Sequence, residues 1–373
     1  MSIVVQKFGG KLLATPEKIR QAADYIIATK NAGESPVVIV SALGHTTDQF
    51  VRMAYQVAEH PDSREMDMLL SVGERTSMSL LAMAINADDS YQAVSYTGSQ
   101  VGIITDTHHT NARIIEVKGY RISEALQQEQ IPIIGGFQGI STDKEITTLG
   151  RGGSDATAVA LAVALGAVRC ELIKEHGGVF SADPIIEPEA LLRGDLDYDT
   201  LEAIMSSGAK VIQPRAAALA RQHRVTLSVK KLDGTRGTLV SDRALSSGQV
   251  VAVTLEDDLT AVRLDPAQTV MDIDVPSNRR VIVWSDRGGI IAVKGEWDRA
   301  DGFPVSLVTV IGWGGALSKE VTFVVLGALA DAGIGLSAVT GMGGRIGLLV
   351  DCGEGERTVK IVHNICREHR FIV

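Results

Sequence analysis

The strongest constraint on what this chain can fold into is a pattern that recurs three times: an apolar, β-branched run that stops abruptly at glycines or small residues. Ile3-Val4-Val5-Gln6-Lys7-Phe8-Gly9-Gly10 is the first, with a lysine just ahead of the diglycine. Pro36-Val37-Val38-Ile39-Val40-Ser41-Ala42-Leu43-Gly44 and Ile131-Pro132-Ile133-Ile134-Gly135-Gly136-Phe137-Gln138-Gly139 repeat it. Such runs read as buried strands. Between the first two, Pro16 to Lys30 places Ile19, Ala22, Ala23 and Ile26-Ile27 at helical spacing. Strand, glycine loop, helix, strand is the sequence form of a βαβ unit, and open α/β sheets bind ligands at the carboxyl ends of their strands. Lys7, and Thr47 in the loop after the second strand, are therefore candidates for one cleft.

A second feature is Thr147-Thr148-Leu149-Gly150-Arg151-Gly152-Gly153-Ser154-Asp155, which runs into the apolar segment Ala156 to Val168. Glycines permit a tight turn, Ser154 and Asp155 are N-cap residue types, and the segment beyond reads as a buried helix. A helix N-terminus with an arginine beside it suits a carboxylate or phosphate. Alone, the stretch is equally well a surface turn that caps a core helix. Met66 to Ala87 is helix-forming and carries Glu74 early, either aimed at the cleft or solvated. Ile140 to Thr148 has the alternation of a hairpin, Tyr91 to Ile104 reads as a strand, Cys170 to Ile173 as another, and His176 is a lone loop histidine with no partner in the pattern.

At 373 residues the chain exceeds one ordinary core. Only 4% of it is aromatic, so the core must be aliphatic, which suits α/β layers. A net charge of -9 with no clustered cationic patch argues against nucleic-acid or anionic-membrane partners. Cys170, Cys352 and Cys366 show no metal or redox spacing and read as thiols of a reducing compartment. The start has no signal-peptide pattern, and the longest uncharged apolar run, Ala156 to Val168, is too short for a bilayer, so a cytoplasmic protein is expected.

Composition shifts around Lys231 to Gln249 toward Gly, Ser, Asp and Arg, a plausible linker. Beyond it, Val305 to Gly312, Ser318 to Ala332, Ile334 to Thr340, Arg345 to Asp351, Glu356 to Glu368 and Arg370 to Val373 read as βαββαβ, a small binding or pairing domain. Short strands at Val250 to Leu255, Leu259 to Leu264, Val281 to Trp284 and Ile290 to Val293 look like a reduced relative of that unit. The expected organisation is a catalytic domain over 1–235, a shortened module over 248–300 and a second over 301–373.

Together these motifs resemble the aspartate kinases of the amino-acid kinase superfamily. The matching residues are Lys7-Phe8-Gly9-Gly10, Val40 to Gly44 with Thr46-Thr47-Asp48, Gly73-Glu74-Arg75, Gly136-Phe137-Gln138-Gly139, Thr147 to Asp155, Ser181-Ala182-Asp183-Pro184 and Gly208-Ala209-Lys210-Val211. The tail resembles paired ACT modules. The resemblance implies a three-layer αβα sandwich followed by ferredoxin-like ACT modules, and transfer of the γ-phosphoryl of ATP, with Mg2+, to the side-chain carboxylate of L-aspartate. It implies that Lys7 stabilises the migrating phosphoryl group and that Asp155 orients that lysine or the nucleotide side of the site. Thr47, Glu74, Phe137, Arg151 and Ser154 would bind the amino acid, Arg151 pairing with a carboxylate and Glu74 with the ammonium. Gly9, Gly10, Ser41, Lys174, Phe180, Asp183 and Lys210 would bind nucleotide, and the ACT-like tail would assemble a homodimer or larger oligomer.

Two departures stand out. The family's usual Thr-Asp-Val-Asp-Gly is here Lys174-Glu175-His176-Gly177-Gly178, and the Thr-Ser that usually follows the diglycine is Lys11-Leu12. They leave open a kinase of a related amino acid or a non-catalytic amino-acid sensor.

Overall fold

The computed structural model describes residues 2–243, 250–265, 267, 281–283, 289–295, 297, 301–313 and 317–372. They form two compact units, the first comprising Met1–Val179, Gly194–Tyr198 and Val211–Arg243, the second Phe180–Arg193, Asp199–Lys210 and Ala244–Val373.

The first unit is built on an eight-stranded sheet whose middle is parallel. Strand Ile3–Phe8 lies between Ser35–Val40 and Arg169–Ile173, with Phe8 in register with Val40 on one side and Ile173 on the other. Ile131–Gly135 continues the sheet beyond Ser35–Val40, pairing Val40 with Gly135. The glycine-terminated runs thus end together along one edge, as the βαβ reading requires. Side-chain alternation then sorts the first strand. Phe8 enters the aliphatic core formed with helices Pro16–Asn31 and Val72–Asn86. Lys7, one residue earlier, points to the opposite face, where helix Gly153–Ala164 carries Asp155.

The helices begin for legible reasons. Thr15 caps Pro16–Asn31 by accepting from the Lys18 N–H, with Pro16 at the first turn. The expected helix over Met66 to Ala87 is instead two, Ser63–Leu70 and Val72–Asn86, joined at Ser71. The whole stretch, Ser63 to Asn86, is the one candidate membrane span by length and composition among the described residues, yet half of its most apolar part is buried in the fold. An uncharged-run criterion passes over it because Glu74 and Arg75 interrupt it. A smaller four-stranded sheet holds the expected hairpin, Gln138–Ser141 against Ile146–Thr148, together with Ile103–Thr105 and Ile114–Val117. The expected strand Tyr91 to Ile104 is broken in two, Ala93–Tyr96 going to the large sheet and Ile103–Thr105 to the small one. The expected linker contributes Thr238–Ser241, which pairs with Leu227–Lys230.

The second unit is organised on a six-stranded antiparallel sheet in the order Val281–Val283, Ile290–Lys294, Val250–Arg263, Phe303–Gly312, Arg345–Asp351, Leu336–Met342. Helices Lys319–Asp331 and Gly355–Glu368 cover it through Val321, Val325, Leu329, Val359, Val362 and Cys366. The two short strands expected at Val250 to Leu255 and Leu259 to Leu264 are one long strand with an irregularity between Glu256 and Leu259, where Asp258 takes φ +61°. Both tail modules therefore share one sheet. The strand expected at Arg370 to Val373 is absent among the described residues there; Phe371 O only accepts one hydrogen bond, from Val250 N–H at 2.9 Å. Trp284 and residues 244–249 of the expected linker lie outside the described residues. Segment Phe180–Arg193, expected within 1–235, packs here: Ala182 joins the core cluster of Val253 and Val308, and Ser181 O accepts from Val253 N–H at 2.7 Å.

Candidate active site

The convergence of strand ends at one edge of the parallel sheet brings the first charged cluster together. Lys7 Nζ lies 2.7 Å from Asp155 Oδ1, and Lys174 Nζ lies 2.9 Å from Asp155 Oδ2. The Gln213 N–H also donates to Asp155 Oδ2, at 3.3 Å. Burial by itself would raise the Asp155 carboxyl, but the two ammonium groups outweigh it and hold the acid well below its ordinary range. Burial lowers the Lys174 ammonium against the opposing pull of Asp155. Two cations on one carboxylate leave a surplus positive charge, an arrangement suited to a polyanion.

The loops that frame this cluster are shaped by close approach. Gly10 has no room for a side chain: an added Cβ would sit 2.4 Å from Ala42 O. The Gly44 N–H donates to Gly10 O at 2.9 Å and the Ser41 N–H to Phe8 O at 3.2 Å, which ties the first two strand-end loops together. Glu74, buried in the first turn of its helix, accepts from the Ala42 N–H at 3.0 Å with Oε1, while Oε2 has no hydrogen-bond partner. Burial raises the Glu74 carboxyl to about 8, opposed by the Ala42 N–H and by Lys7. Once ionised, a buried acid with one open oxygen suits a cation.

Phe137 is buried with φ +68°, a left-handed conformation rare for an aromatic residue. Its N–H donates to Thr157 Oγ1 at 3.1 Å, and Thr157 Oγ1 in turn donates to Gly153 O at 3.0 Å. That chain fastens the third strand-end loop to the helix start. The helix itself begins at Gly153, capped by Gly152 at φ +76° rather than by a side chain, so Ser154 and Asp155 sit buried inside the first turn and are not its N-caps. Thr157 is a contributor that sequence reasoning missed. A lone hydroxyl in an Ala/Val helix one turn after Gly153 is the available signal.

Arg151 differs from its expected setting. The pairing logic of an amino-dicarboxylate site asks for a buried cation, but the Arg151 side chain is 96% exposed, 4.0 Å from Asp48 Oδ1 at the start of helix Thr46–Val57. The buried cation is Lys7. Thr47 is half-buried in the first turn of that same helix. The Lys11 ammonium pairs with Glu175 at 3.1 Å, so the two departures from the family motifs meet each other across the loops. Asp67 was also invisible to pattern reading: wholly buried, it accepts from the Thr110 N–H and from Thr148 Oγ1 and meets His109 Nδ1 at 2.6 Å, bracing Thr148 beside the glycine-rich turn.

Phe180, Asp183 and Lys210 belong to the second unit. There Phe180 is half-buried, Asp183 Oδ1 accepts from the Ile185 N–H at 2.9 Å and Lys210 is exposed. Lys7 and Lys174 thus each contact Asp155; Gly9, Gly10, Ser41, Glu74, Phe137 and Ser154 belong to the strand-end loops and helix starts of the same unit. Among the described residues no group of three or more His, Cys, Asp or Glu side chains is gathered. With both Asp155 oxygens facing lysines, the residues present do not fit a protein-held magnesium ion.

Residues 2–231 match the Amino acid kinase family. The chain belongs to that family. The resemblance read from the motifs is borne out by its relatives: over 265 residues it is 42% identical to the aspartokinase of Bacillus sp. (strain MGA3), covering 70% of this chain and 64% of that protein. Over 283 residues it is 44% identical to the aspartokinase of Mycolicibacterium smegmatis, covering 74% and 66%. The chain thus aligns with somewhat under two thirds of the length of these relatives. E. coli aspartokinase III, solved with aspartate and ADP, shares the fold at a TM-score of 0.80 over 98% of this chain and 99% of that one, at 20% identity. Aspartate kinase from Synechocystis matches at 29% identity and a TM-score of 0.59, over 98% of this chain and 70% of that one. The fold of this amino acid kinase family member is accordingly mixed α/β, a parallel sheet with a separate antiparallel sheet of ACT type.

Proposed function

We propose that this chain is a cytoplasmic aspartate kinase that transfers the γ-phosphoryl group of ATP to the side-chain carboxylate of L-aspartate, giving ADP and 4-phospho-L-aspartate. The observation that carries the reading is the buried Lys7–Asp155 pair at the carboxyl ends of the parallel strands, with Glu74 in the same layer of loops.

In this reading a carboxylate oxygen of aspartate, already ionised near neutral pH, attacks the γ-phosphorus. The bond from the γ-phosphorus to the β,γ-bridging oxygen breaks, and ADP leaves with that electron pair. No base is needed; positioning and charge neutralisation do the work. Lys7 meets the charge on the migrating group, Asp155 holds Lys7 in place, and the N–H groups of Gly9 and Gly10 face the phosphates. Ser41, at the end of the second strand run, contributes to the nucleotide side of this unit. Glu74 takes the ammonium of aspartate, Arg151 reaches a carboxylate from the exposed rim, and Thr47, Phe137 and Ser154 line the amino-acid side. Magnesium arrives as part of the MgATP substrate.

Trapping the acyl phosphate with hydroxylamine and following ADP release by a coupled assay test the reading. ATP- and aspartate-dependent hydroxamate supports it. Turnover only with another amino acid from a panel replaces the acceptor. Amino-acid binding without turnover of any acceptor by the folded protein replaces the kinase with a sensor.

A further inference from the structure

Lys174 stands where the aspartate kinase motif begins with threonine: the family pattern puts a nucleotide contact at this position but not a positive charge. The structure builds it in firmly. It follows strand Arg169–Ile173, whose Ile173 is in register with Phe8, and so emerges beside the diglycine; a Cβ added to Gly9 would come within 3.9 Å of Ile173 O. Its own N–H donates to Lys230 O at 2.8 Å, which fixes the backbone at that point. Its ammonium reaches inward to Asp155 Oδ2 at 2.9 Å with the side chain only 27% exposed, while the neighbouring Glu175 turns outward to Lys11.

The charge in this cluster does not balance. Lys7 and Lys174 share one carboxylate, and the acid Glu74 is held largely protonated at neutral pH by burial. A surplus ammonium with restricted access to water costs free energy unless an anion completes the set. The anion such a set recognises, at a glycine loop on the strand ends, is a phosphate chain.

We propose that Lys174 is a second phosphate-binding cation of the nucleotide site, held by Asp155 opposite Lys7, so that two fixed ammonium groups rather than a protein-held metal neutralise the polyphosphate. The inference rests on the nucleotide half of the kinase reading. Its consequence is that the protein binds ATP without a divalent cation, and that Lys174 carries that ability.

Calorimetric titration of the full chain with ATP in EDTA, with MgATP, and with adenosine tests it. For the unsubstituted protein, metal-free ATP is expected to bind within roughly tenfold of MgATP. Lys174→Met is expected to weaken metal-free ATP by roughly tenfold or more, the scale of a charge-assisted contact, and to leave adenosine unchanged. Lys174→Arg is expected to keep metal-free binding to within about threefold, because the charge remains. Unchanged metal-free ATP binding in Lys174→Met overturns the inference, and so does an equal loss for adenosine, which marks a structural role. So does failure of the unsubstituted chain to bind ATP without metal, a measurement that needs no variant. Aspartate turnover with no Lys174 effect on binding sinks this inference and leaves the kinase reading standing. Lys174-dependent ATP binding in a chain that turns over no amino acid does the reverse.

Discussion

Lys7 Nζ and Asp155 Oδ1 meet at 2.7 Å, both buried, one from the first strand and the other from the start of the helix that follows the Gln138–Ser141 and Ile146–Thr148 hairpin. The contact does two things. It keeps the Lys7 ammonium aimed at the strand-end loops, and it gives the buried Asp155 a reason to stay ionised.

Loss of either partner should therefore be costly for chemistry. Lys7→Ala is expected to lower kcat by about 100-fold or more, the usual scale for removing a preorganised donor to a developing charge. Asp155→Asn should lower kcat with a smaller effect on the aspartate KM, because Asp155 acts through the lysines. Steady-state kinetics on both variants check this. The Asp155 carboxyl is depressed, so the stability it contributes is present above the ordinary aspartate value and is lost as pH falls through its folded value. Acid unfolding followed by circular dichroism should accordingly flatten at its acid end in Asp155→Asn.

Glu74 has the opposite sign. Its carboxyl is raised to about 8, so in the free protein it is mostly protonated at pH 7, and its contribution to stability declines as pH rises from the ordinary glutamate value through 8. Binding an ammonium group requires the ionised form. Aspartate binding at pH 7 should release up to about one proton, measurable by calorimetry in buffers of different ionisation enthalpy, and the aspartate KM should fall as pH rises from 6.5 to 8.5. A pH-independent KM with no proton release would remove Glu74 from the ammonium site. Glu74→Gln should raise KM and abolish the proton release.

Gly10 tests the loop geometry. A Cβ there would meet Ala42 O at 2.4 Å, a backbone atom that cannot swing aside. Gly10→Ala is expected to destabilise the protein by about 1–3 kcal/mol, as overpacking typically does, and to weaken nucleotide binding by displacing the N–H groups of the loop. Thermal denaturation with and without ATP separates the two effects.

Arg151 is exposed and has one long ion pair to Asp48, so Arg151→Ala should leave stability within about 0.5 kcal/mol. If it reaches the substrate, the aspartate KM rises several-fold while ATP binding is unaffected. An unchanged KM assigns the carboxylate contact elsewhere.

The second unit presents Leu336–Met342 and Val281–Val283 as the outer strands of its six-stranded sheet among the described residues. Unpaired strand edges invite pairing with a copy. A dimer or larger species is expected by sedimentation at micromolar concentration; a monomer there would refute this, and a proline placed at Val339 should shift the equilibrium toward monomer.

What the amino-acid sequence determined by itself was local and periodic. β-branched runs closed by glycines specified the parallel strands, the spacing of Ile19, Ala22, Ala23 and Ile26 specified the first helix, and the motif residues specified the family, because each is a pattern within a few neighbouring positions. The tertiary structure alone decided the rest. Strand register put Lys7 on the face of Asp155 and Phe8 in the opposite core, and packing buried Glu74 while leaving Arg151 in solvent. Folding also brought Lys174 onto the far oxygen of Asp155 and joined Lys11 to Glu175. Burial and charge pairing depend on which distant segments share a layer, and no short window of sequence contains that information.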